Sequence, residues 1–431
     1  MVFMASGVAS AAALSVPATA YGTYPGVVLF PVCIASGSQE HPAVSGHIVV
    51  WCDDRNGNED IYGYNVATMT EFPVCVAPGD QWEPAISGDI VVWSDGRDST
   101  WDIYGYNLAT KATFPVATGG GQQVNPAISG DLVVWESLSS SLASDIYGCY
   151  LSNKNAFPVC TADQDQSDPA VSGDTVVWQD SRNGNEDIYG YNVATGTEFP
   201  VCVADRAQDE PAISGPIIVW QDERNPAHAY DTYGYDLRTR SEFLVSVSSH
   251  FRNGLAIDGD TVAWYEGSPG RYGIWGHNLS TKTEFRISAN TSFVWPRVAV
   301  SGDYVVWPSE SVAGPTAKYH VYGAKLVPDT LGPTTKASAV KTWVGWTTTL
   351  RFKIVDLPPS CGQARVIIQI KKNGRVIKTL SAGKRDTNVA LTKAFKAKLK
   401  TGIYTYRVLA TDIAGNRATK VGSARLTVRR W

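Results

Sequence analysis

Long apolar runs are missing from most of this sequence. Beyond residue 20, no segment reaches the ~18 consecutive apolar residues that a membrane-spanning helix needs. A helical membrane protein is thereby excluded for that part of the chain. No Cys-x-x-Cys pair and no Cys/His cluster with metal-ligand spacing occurs, which removes zinc ribbons and thioredoxin-type redox chemistry. No Gly-x-Ser-x-Gly elbow occurs either, so a hydrolase nucleophile of that type has no anchor. Charge is sparse at 18%, and acid is nearly absent from one end. Residues 330–431 hold 3 Asp/Glu against 21 Lys/Arg, a net of +18. Residues 21–329 hold 38 Asp/Glu against 16 Lys/Arg, a net of −22. Such asymmetry predicts two domains with different partners.

Turn formers and aromatics are plentiful. The 431 residues include 39 Gly and 23 Pro, with 11% aromatic, which describes a globular, β-leaning chain. Residues 1–20 carry no charge. Val2–Val16 is small and apolar, and Ala18-Thr19-Ala20 fits a small-x-small cleavage site, so this stretch reads as a secretory signal peptide. It predicts an extracellular or cell-surface location, or a periplasmic one where the envelope has an outer membrane. Seven cysteines are an odd number for an exported chain and cannot all pair internally. Cys33, Cys75, Cys160 and Cys202 occupy equivalent repeat positions, too far apart for disulfides, and read as small buried hydrophobes.

A repeat organises the long acidic segment. Trp51, Trp93, Trp135, Trp178, Trp220, Trp264 and Trp307 each end an apolar run, at spacings of 42, 42, 43, 42, 44 and 43. Nine residues earlier stand Pro42, Pro84, Pro126, Pro169, Pro211, Leu255 and Val298. An aromatic-Gly pair follows each Trp, from Tyr62-Gly63 to Tyr322-Gly323, and a fourth element begins at Phe72, Phe114, Phe157, Phe199, Phe243 and Phe285. Each unit reads as four short strands. The Asn56-Gly57 turn predicts a hairpin in which Trp51 faces Tyr62. A unit of this size cannot bury its own faces and must stack on its copies, which is the propeller solution. The seventh unit lacks a fourth strand, while Phe30–Cys33 is a spare one at the front. The predicted fold is therefore all-β: a seven-bladed β-propeller over residues 21–327, closed by its N-terminal strand.

The Ser-Gly-Asp turns, the Asp-x-Arg-Asn-Gly-Asn-x-Asp-Ile-Tyr segments and the 42-residue period resemble the TolB-like family of β-propeller repeats, above all its secreted or cell-surface members. The resemblance covers roughly residues 27–327. It implies the fold and leaves activity open, because that fold hosts scaffolds, receptors, peptidase gates and lyases.

Residues 328–347, with Pro328, Gly332 and Pro333, read as a linker and first strand region. Alternating runs from Thr349 to Val428 then predict a β-sandwich over 348–431. Gly402–Tyr406 and Ala410–Asn416 resemble bacterial immunoglobulin-like modules, which implies a spacer or adhesion role. There Lys396, Lys398 and Lys400 alternate onto one face, and Lys371, Lys372 and Arg375 crowd a hairpin. These six form a candidate surface for an anionic cell-wall polymer. An exported location argues against nucleic acid.

Candidate ligand residues on the propeller are fewer. Gln39, Gln81, Gln123, Gln166 and Gln208 each stand three residues before a strand proline, where they either ring the channel mouth or bond between blades. The loops on that face vary most, with Trp82, Arg252 and Trp295 prominent in them, and variation on rigid blades is where binding sits. Asp53–Asp60 and Asp180–Asp187 look like calcium loops, but Arg55 and Arg182 occupy a ligand position, so they read as ordinary hairpins. The six histidines share no ligand spacing. No catalytic residue, metal ligand or cofactor is predicted. The leading expectation is a protein that binds a glycan, peptide or protein on its propeller face. The alternatives are an extracellular propeller enzyme such as a polysaccharide lyase, or a structural surface-layer component.

Overall fold

The computed structural model describes residues 27–430 apart from 99, 139–142, 229, 268–271, 290–296, 311–317, 328–331, 357–362 and 413–415. The expected signal peptide and Trp295 lie outside the described residues. Every regular element described is a β-strand. No described helix is long and apolar enough to cross a membrane. The chain divides into two compact units near Gly332.

The first unit is built from seven four-stranded antiparallel sheets. The first sheet runs Gln39–Ser45, Ile48–Asp53, Asp60–Asn65 and Thr70–Cys75. Five more follow the same plan, and in the last sheet Ala299–Ser301, Tyr304–Glu310 and Tyr319–Leu326 are joined by Val27–Cys33 as the outer strand. Phe30 pairs with Gly323. The first strands of successive sheets pack on one another, and Gln39–Ser45 packs in turn against Ala299–Ser301. Sheets that follow one another around an axis in this way form a β-propeller.

The repeated residues explain the repeated geometry. All seven indoles are at most 2% exposed, and Trp51 faces Tyr62 with ring centroids 6.5 Å apart. Hydrophobic cores lie between neighbouring sheets: Val50, Cys52, Ile61 and Val74 of the first meet Val91 and Trp93 of the second. Each glycine of the aromatic-Gly pairs lies under a phenylalanine of the adjacent outer strand. A Cβ on Gly323 would sit 2.6 Å from the Phe30 ring, so the N-terminal strand fills the place that Phe72 fills over Gly63.

The Ser-Gly-Asp turns do more than reverse the chain. Gly88 has φ +57°, as the first central residue of a type II′ hairpin requires. Its N–H donates to Ser45 Oγ of the preceding sheet at 3.0 Å. The same bond recurs at every sheet: Gly130 to Ser87, Gly173 to Ser129, Gly215 to Ser172, Gly259 to Ser214, Gly302 to Asp258, and Gly46 to Ser301. These bonds close a cycle from the last sheet back to the first.

The second unit has a three-stranded sheet, Thr334–Ala337, Thr347–Val355 and Ala390–Lys396, and a five-stranded one. The latter contains Val340–Trp343, Gly422–Arg429, Gly402–Asp412, Gln363–Lys372 and Arg375–Asp386. Leu350, Phe352 and Phe395 of one sheet and Val366, Ile368, Tyr406 and Val408 of the other share a single core. The region read as linker and first strand thus holds two short strands, one in each sheet. Asn373-Gly374, at φ +49° and +79°, forms the predicted tight hairpin, Lys372 facing Arg375.

Candidate functional site

The residue just before each strand proline, ten before each repeat Trp, occupies a bulge. Gln39 and Glu40 pair with Asp53 and Cys52, then pairing resumes at Ala43 with Val50. His41 and Pro42 therefore oppose a single residue and swing inward. The same shift occurs in the second to sixth sheets. The backbone there is left-handed: φ is +48° at His41, +55° at Glu83, +52° at Asn125, +49° at Asp168, +49° at Glu210 and +66° at Gly254. Arg297 holds the seventh position.

These side chains meet. Arg297 Nη2 donates to Asn125 Oδ1 at 2.8 Å, and lies 3.6 Å from Glu83 Oε1 and 4.0 Å from Asp168 Oδ1. An arginine of the seventh sheet reaches the second, third and fourth only across the axis. Asn125 Nδ2 donates to Glu136 Oε1 at 2.7 Å and to Asp168 Oδ1 at 3.0 Å. Glu210 accepts from Gly254 N and Gln221 Nε2 at 2.7 and 2.6 Å. His41 packs on Trp82, ring centroids 5.4 Å apart, and its Nδ1 is buried without a hydrogen bond among the described residues. Trp82 itself is 38% exposed. The result is a polar axial ring flanked by one exposed indole.

Burial shifts the acids around this ring. It pushes Asp209 up to about 8, with Glu210 and Glu223 adding repulsion. Glu210 and Glu136 are pushed to about 7, again chiefly by burial, and Glu59 to about 8. Burial lowers His41 to about 3. The consequence for stability has a definite sign. Between pH 6.5 and 8 the folded acids hold protons that the unfolded chain has already lost, and these outnumber the fraction of a proton that the unfolded His41 imidazole still binds near pH 6.5. Stability therefore falls as pH rises through that window. Below it, an unfolded histidine takes up a proton that His41 refuses, which offsets only part of the protons held by the four acids, so the slope is reduced and keeps its sign until the unfolded carboxylates protonate in turn. Calorimetric melting temperatures should drop by a few degrees from pH 6.5 to 8, and Asp209→Asn should flatten the slope. A melting temperature that rises across this window contradicts the assignment.

The sequence-predicted residues divide. Gln39, Gln81, Gln166 and Gln208 are fully buried and Gln123 is 5% exposed. Their amides serve the protein itself. Gln81 Nε2 donates to Gly79 O at 2.9 Å, Gln166 Nε2 to Gln164 O at 3.0 Å, and Gln208 Nε2 to Arg206 O at 2.8 Å. Gln39 Oε1 bonds His320 of the last sheet, and Gln123 Oε1 accepts from Trp135 Nε1. They hold loops and indoles from inside the sheet. Arg252 stands at the glutamine position of the sixth sheet and is also internal. It is 2% exposed, bonds Glu266, Thr232 and Ser246, and lies 4.6 Å from the Trp264 ring.

The calcium-like loops are likewise spent internally. Asp53 accepts from Trp51 Nε1 at 2.9 Å and from Arg55 Nε at 2.8 Å. Arg55 covers the Tyr62 ring at 4.2 Å and donates to Cys33 Sγ of the adjacent outer strand at 3.1 Å. Burial raises the Cys33 thiol to about 12. The six described cysteines are free thiols. In the second unit Lys372, Arg375, Lys396, Lys398 and Lys400 are exposed and Lys371 is half-buried.

Sequence reasoning missed the axial ring itself. Its signal is a position that varies along the repeat, His41, Glu83, Asn125, Asp168, Glu210, Gly254 and Arg297, directly before a residue that is mostly constant.

No family model matches this sequence, and no curated protein matches it. Solved structures do. An oligogalacturonate lyase in complex with manganese superposes with a TM-score of 0.54 at 12% identity, covering 71% of this chain and 99% of its own. The β-propeller domain of the Trilobed protease from Pyrococcus furiosus gives 0.51 at 12%, covering 68% and 94%. TolB from Acinetobacter baumannii gives 0.42 at 13%, covering 62% and 65%. Likeness at these identities concerns the fold alone, and the first two agree with the sheet geometry: this chain contains a β-propeller.

Proposed function

We propose that this chain is an exported or cell-surface binding protein. Its seven sheets are the blades of one closed propeller, and the axial ring with Trp82 takes up a polar group of a glycan, peptide or protein. The basic C-terminal unit is an immunoglobulin-like sandwich that acts as a spacer or attaches to anionic wall polymer through Lys371, Lys372, Arg375, Lys396, Lys398 and Lys400.

The observation that carries the propeller reading is the left-handed backbone of the ring. Glycine is the cheapest residue at such φ values, and only the sixth sheet uses it. Five sheets keep a larger polar side chain there at a cost of order 1 kcal/mol each. If the position served only to turn the chain, glycine would be the better residue. Carboxylates, an amide, an imidazole and a guanidinium facing one axis suit a ligand rich in hydroxyl or amino groups. A glycan and peptide array probed with the purified protein identifies the ligand. Trp82→Ala and Arg297→Gln should each weaken the captured ligand about 10-fold or more, while Lys111→Ala on the opposite turns leaves it unchanged. Ligand affinity indifferent to both ring-side variants places binding elsewhere and refutes the axial site.

A further inference from the structure

The turn between Val340–Trp343 and Thr347–Val355 in the C-terminal unit presents two indoles to solvent. Trp343 is 37% and Trp346 47% exposed, and their ring centroids lie 5.2 Å apart at 45°. The turn is held on several sides. Val344 N donates to Arg429 O at 3.0 Å, Gly345 N to Ala397 O at 3.0 Å, Trp346 N to Trp343 O at 3.1 Å, and Ala397 N to Trp346 O at 2.8 Å. The backbone that carries the aromatic pair is therefore fixed before any partner arrives, which lowers the entropy cost of binding.

The backbone bonds that hold the turn also set it beside the lysine row. Thr347, next to Trp346, pairs with Lys396. Beyond it Ala397 is buried while Lys398 and Lys400 are exposed. The strand ends at Lys396 and the chain turns tightly at Ala397, Lys398 N donating to Lys396 O at 2.8 Å, so the lysines crowd together more closely than along a strand. The segment ends near Lys372. Lys372 Nζ lies 5.3 Å from the Tyr404 ring, and Tyr404 Oη donates to Lys400 O at 2.7 Å. Little opposes this charge. Of the three acids in residues 330–431, Asp356 and Asp412 are 2% and 4% exposed, leaving Asp386 at the surface.

We propose that this end of the C-terminal unit binds an anionic polysaccharide, with sugar rings stacked on Trp343 and Trp346 and anionic substituents along Lys396, Lys398, Lys400 and Lys372. This rests on the wall-attachment reading above and adds what makes the site select a sugar polymer over other polyanions. The shape favours one extended chain over a bilayer. A membrane surface is best met by cations surrounding a protruding apolar tip, whereas these lysines follow one another along one segment that leaves the indoles on one side.

The test uses the full chain and four probes: dextran sulfate, uncharged dextran, polyphosphate, and phosphatidylglycerol vesicles. Dextran sulfate should bind, more weakly as salt rises, and dextran should not. Trp343→Ala/Trp346→Ala should weaken dextran sulfate about 10-fold or more, yet leave the sugarless polyphosphate within about 2-fold. Trp343→Phe/Trp346→Phe should retain most of the binding, which separates stacking from folding. Lys396→Gln/Lys398→Gln/Lys400→Gln should weaken both polymers and flatten the salt dependence. If the lysine variant weakens dextran sulfate and the tryptophan variants do not, wall attachment stands and this inference fails. Binding of vesicles without dextran sulfate also overturns it. If no polyanion binds, both readings fall together.

Discussion

A variant lacking residues 21–35 should melt about 10 °C below the parent or aggregate, because the last sheet then loses its outer strand. Val27–Cys33 pairs with Tyr319–Leu326 along its length. Val32 and Cys33 are 6% and 4% exposed in a core shared with Val49 and Trp51 of the first sheet. Phe30 covers Gly323. At about 1.5–3 kcal/mol for each large buried side chain, the deletion costs about 5 kcal/mol, against a usual total of about 5–15 kcal/mol. The inner cycle of bonds from turn glycines to six serines and Asp258 does not involve these residues, nor does the Tyr319 N bond to Ser38 Oγ. The ring should therefore stay closed on the inside while a bare strand edge forms outside. That edge invites strand addition from another molecule. Differential scanning calorimetry with light scattering follows both effects. A variant that stays monomeric and melts within about 2 °C of the parent would show that the strand is dispensable.

How much was legible follows from where period-2 counting holds. It holds along the second and third strands, so the Trp51–Tyr62 pairing and the spare Phe30–Cys33 strand could be counted from the sequence alone. It fails at the bulge. His41 and Pro42 oppose one residue, which moves every following side chain by one position and turns the residue before proline toward the axis. Gln39 and its equivalents drew attention by recurring three residues before the strand proline, and their register puts them inside the sheet. Arg252 misled for a related reason. An arginine in a varied loop reads as a binding group, yet at the glutamine position its guanidinium reaches Glu266 and Trp264. The Ser-Gly-Asp turns were legible as turns but not as clasps between sheets, because the serine's acceptor role depends on a glycine about 43 residues away. The indole pair at Trp343 and Trp346 was hidden by the linker composition around it, since Pro328, Gly332 and Pro333 outweigh two four-residue strands.

Asp180→Ala should destabilise the propeller by about 3 kcal/mol, more than most single changes. Asp180 is fully buried. Its Oδ2 accepts from Trp178 Nε1 at 2.7 Å and from Arg182 Nη2 at 2.6 Å, and its Oδ1 from Arg182 Nε at 2.8 Å. Arg182 in turn covers Tyr189 at 4.2 Å and reaches Cys160 of the neighbouring sheet at 3.0 Å. Removing the carboxylate leaves a buried indole N–H without an acceptor, at about 1–3 kcal/mol, and frees a guanidinium that pinned two sheets together. Asp180→Asn should cost less, since an amide oxygen still serves the indole but not the charge. The third sheet of the same chain satisfies its indole differently, Gln123 accepting from Trp135, while in the sixth Arg252 and Glu266 meet over Trp264, whose Nε1 has no acceptor among the described residues. Trp178→Phe in the Asp180→Ala background should recover part of the loss, because it deletes the orphaned donor along with its acceptor. Urea unfolding of the four proteins, Asp180→Ala, Asp180→Asn, the double variant and the parent, measures each step. A loss below about 1 kcal/mol for Asp180→Ala would show that water replaces the carboxylate at little cost, and that the Trp-Asp-Arg-Tyr stack decorates these sheets without holding them.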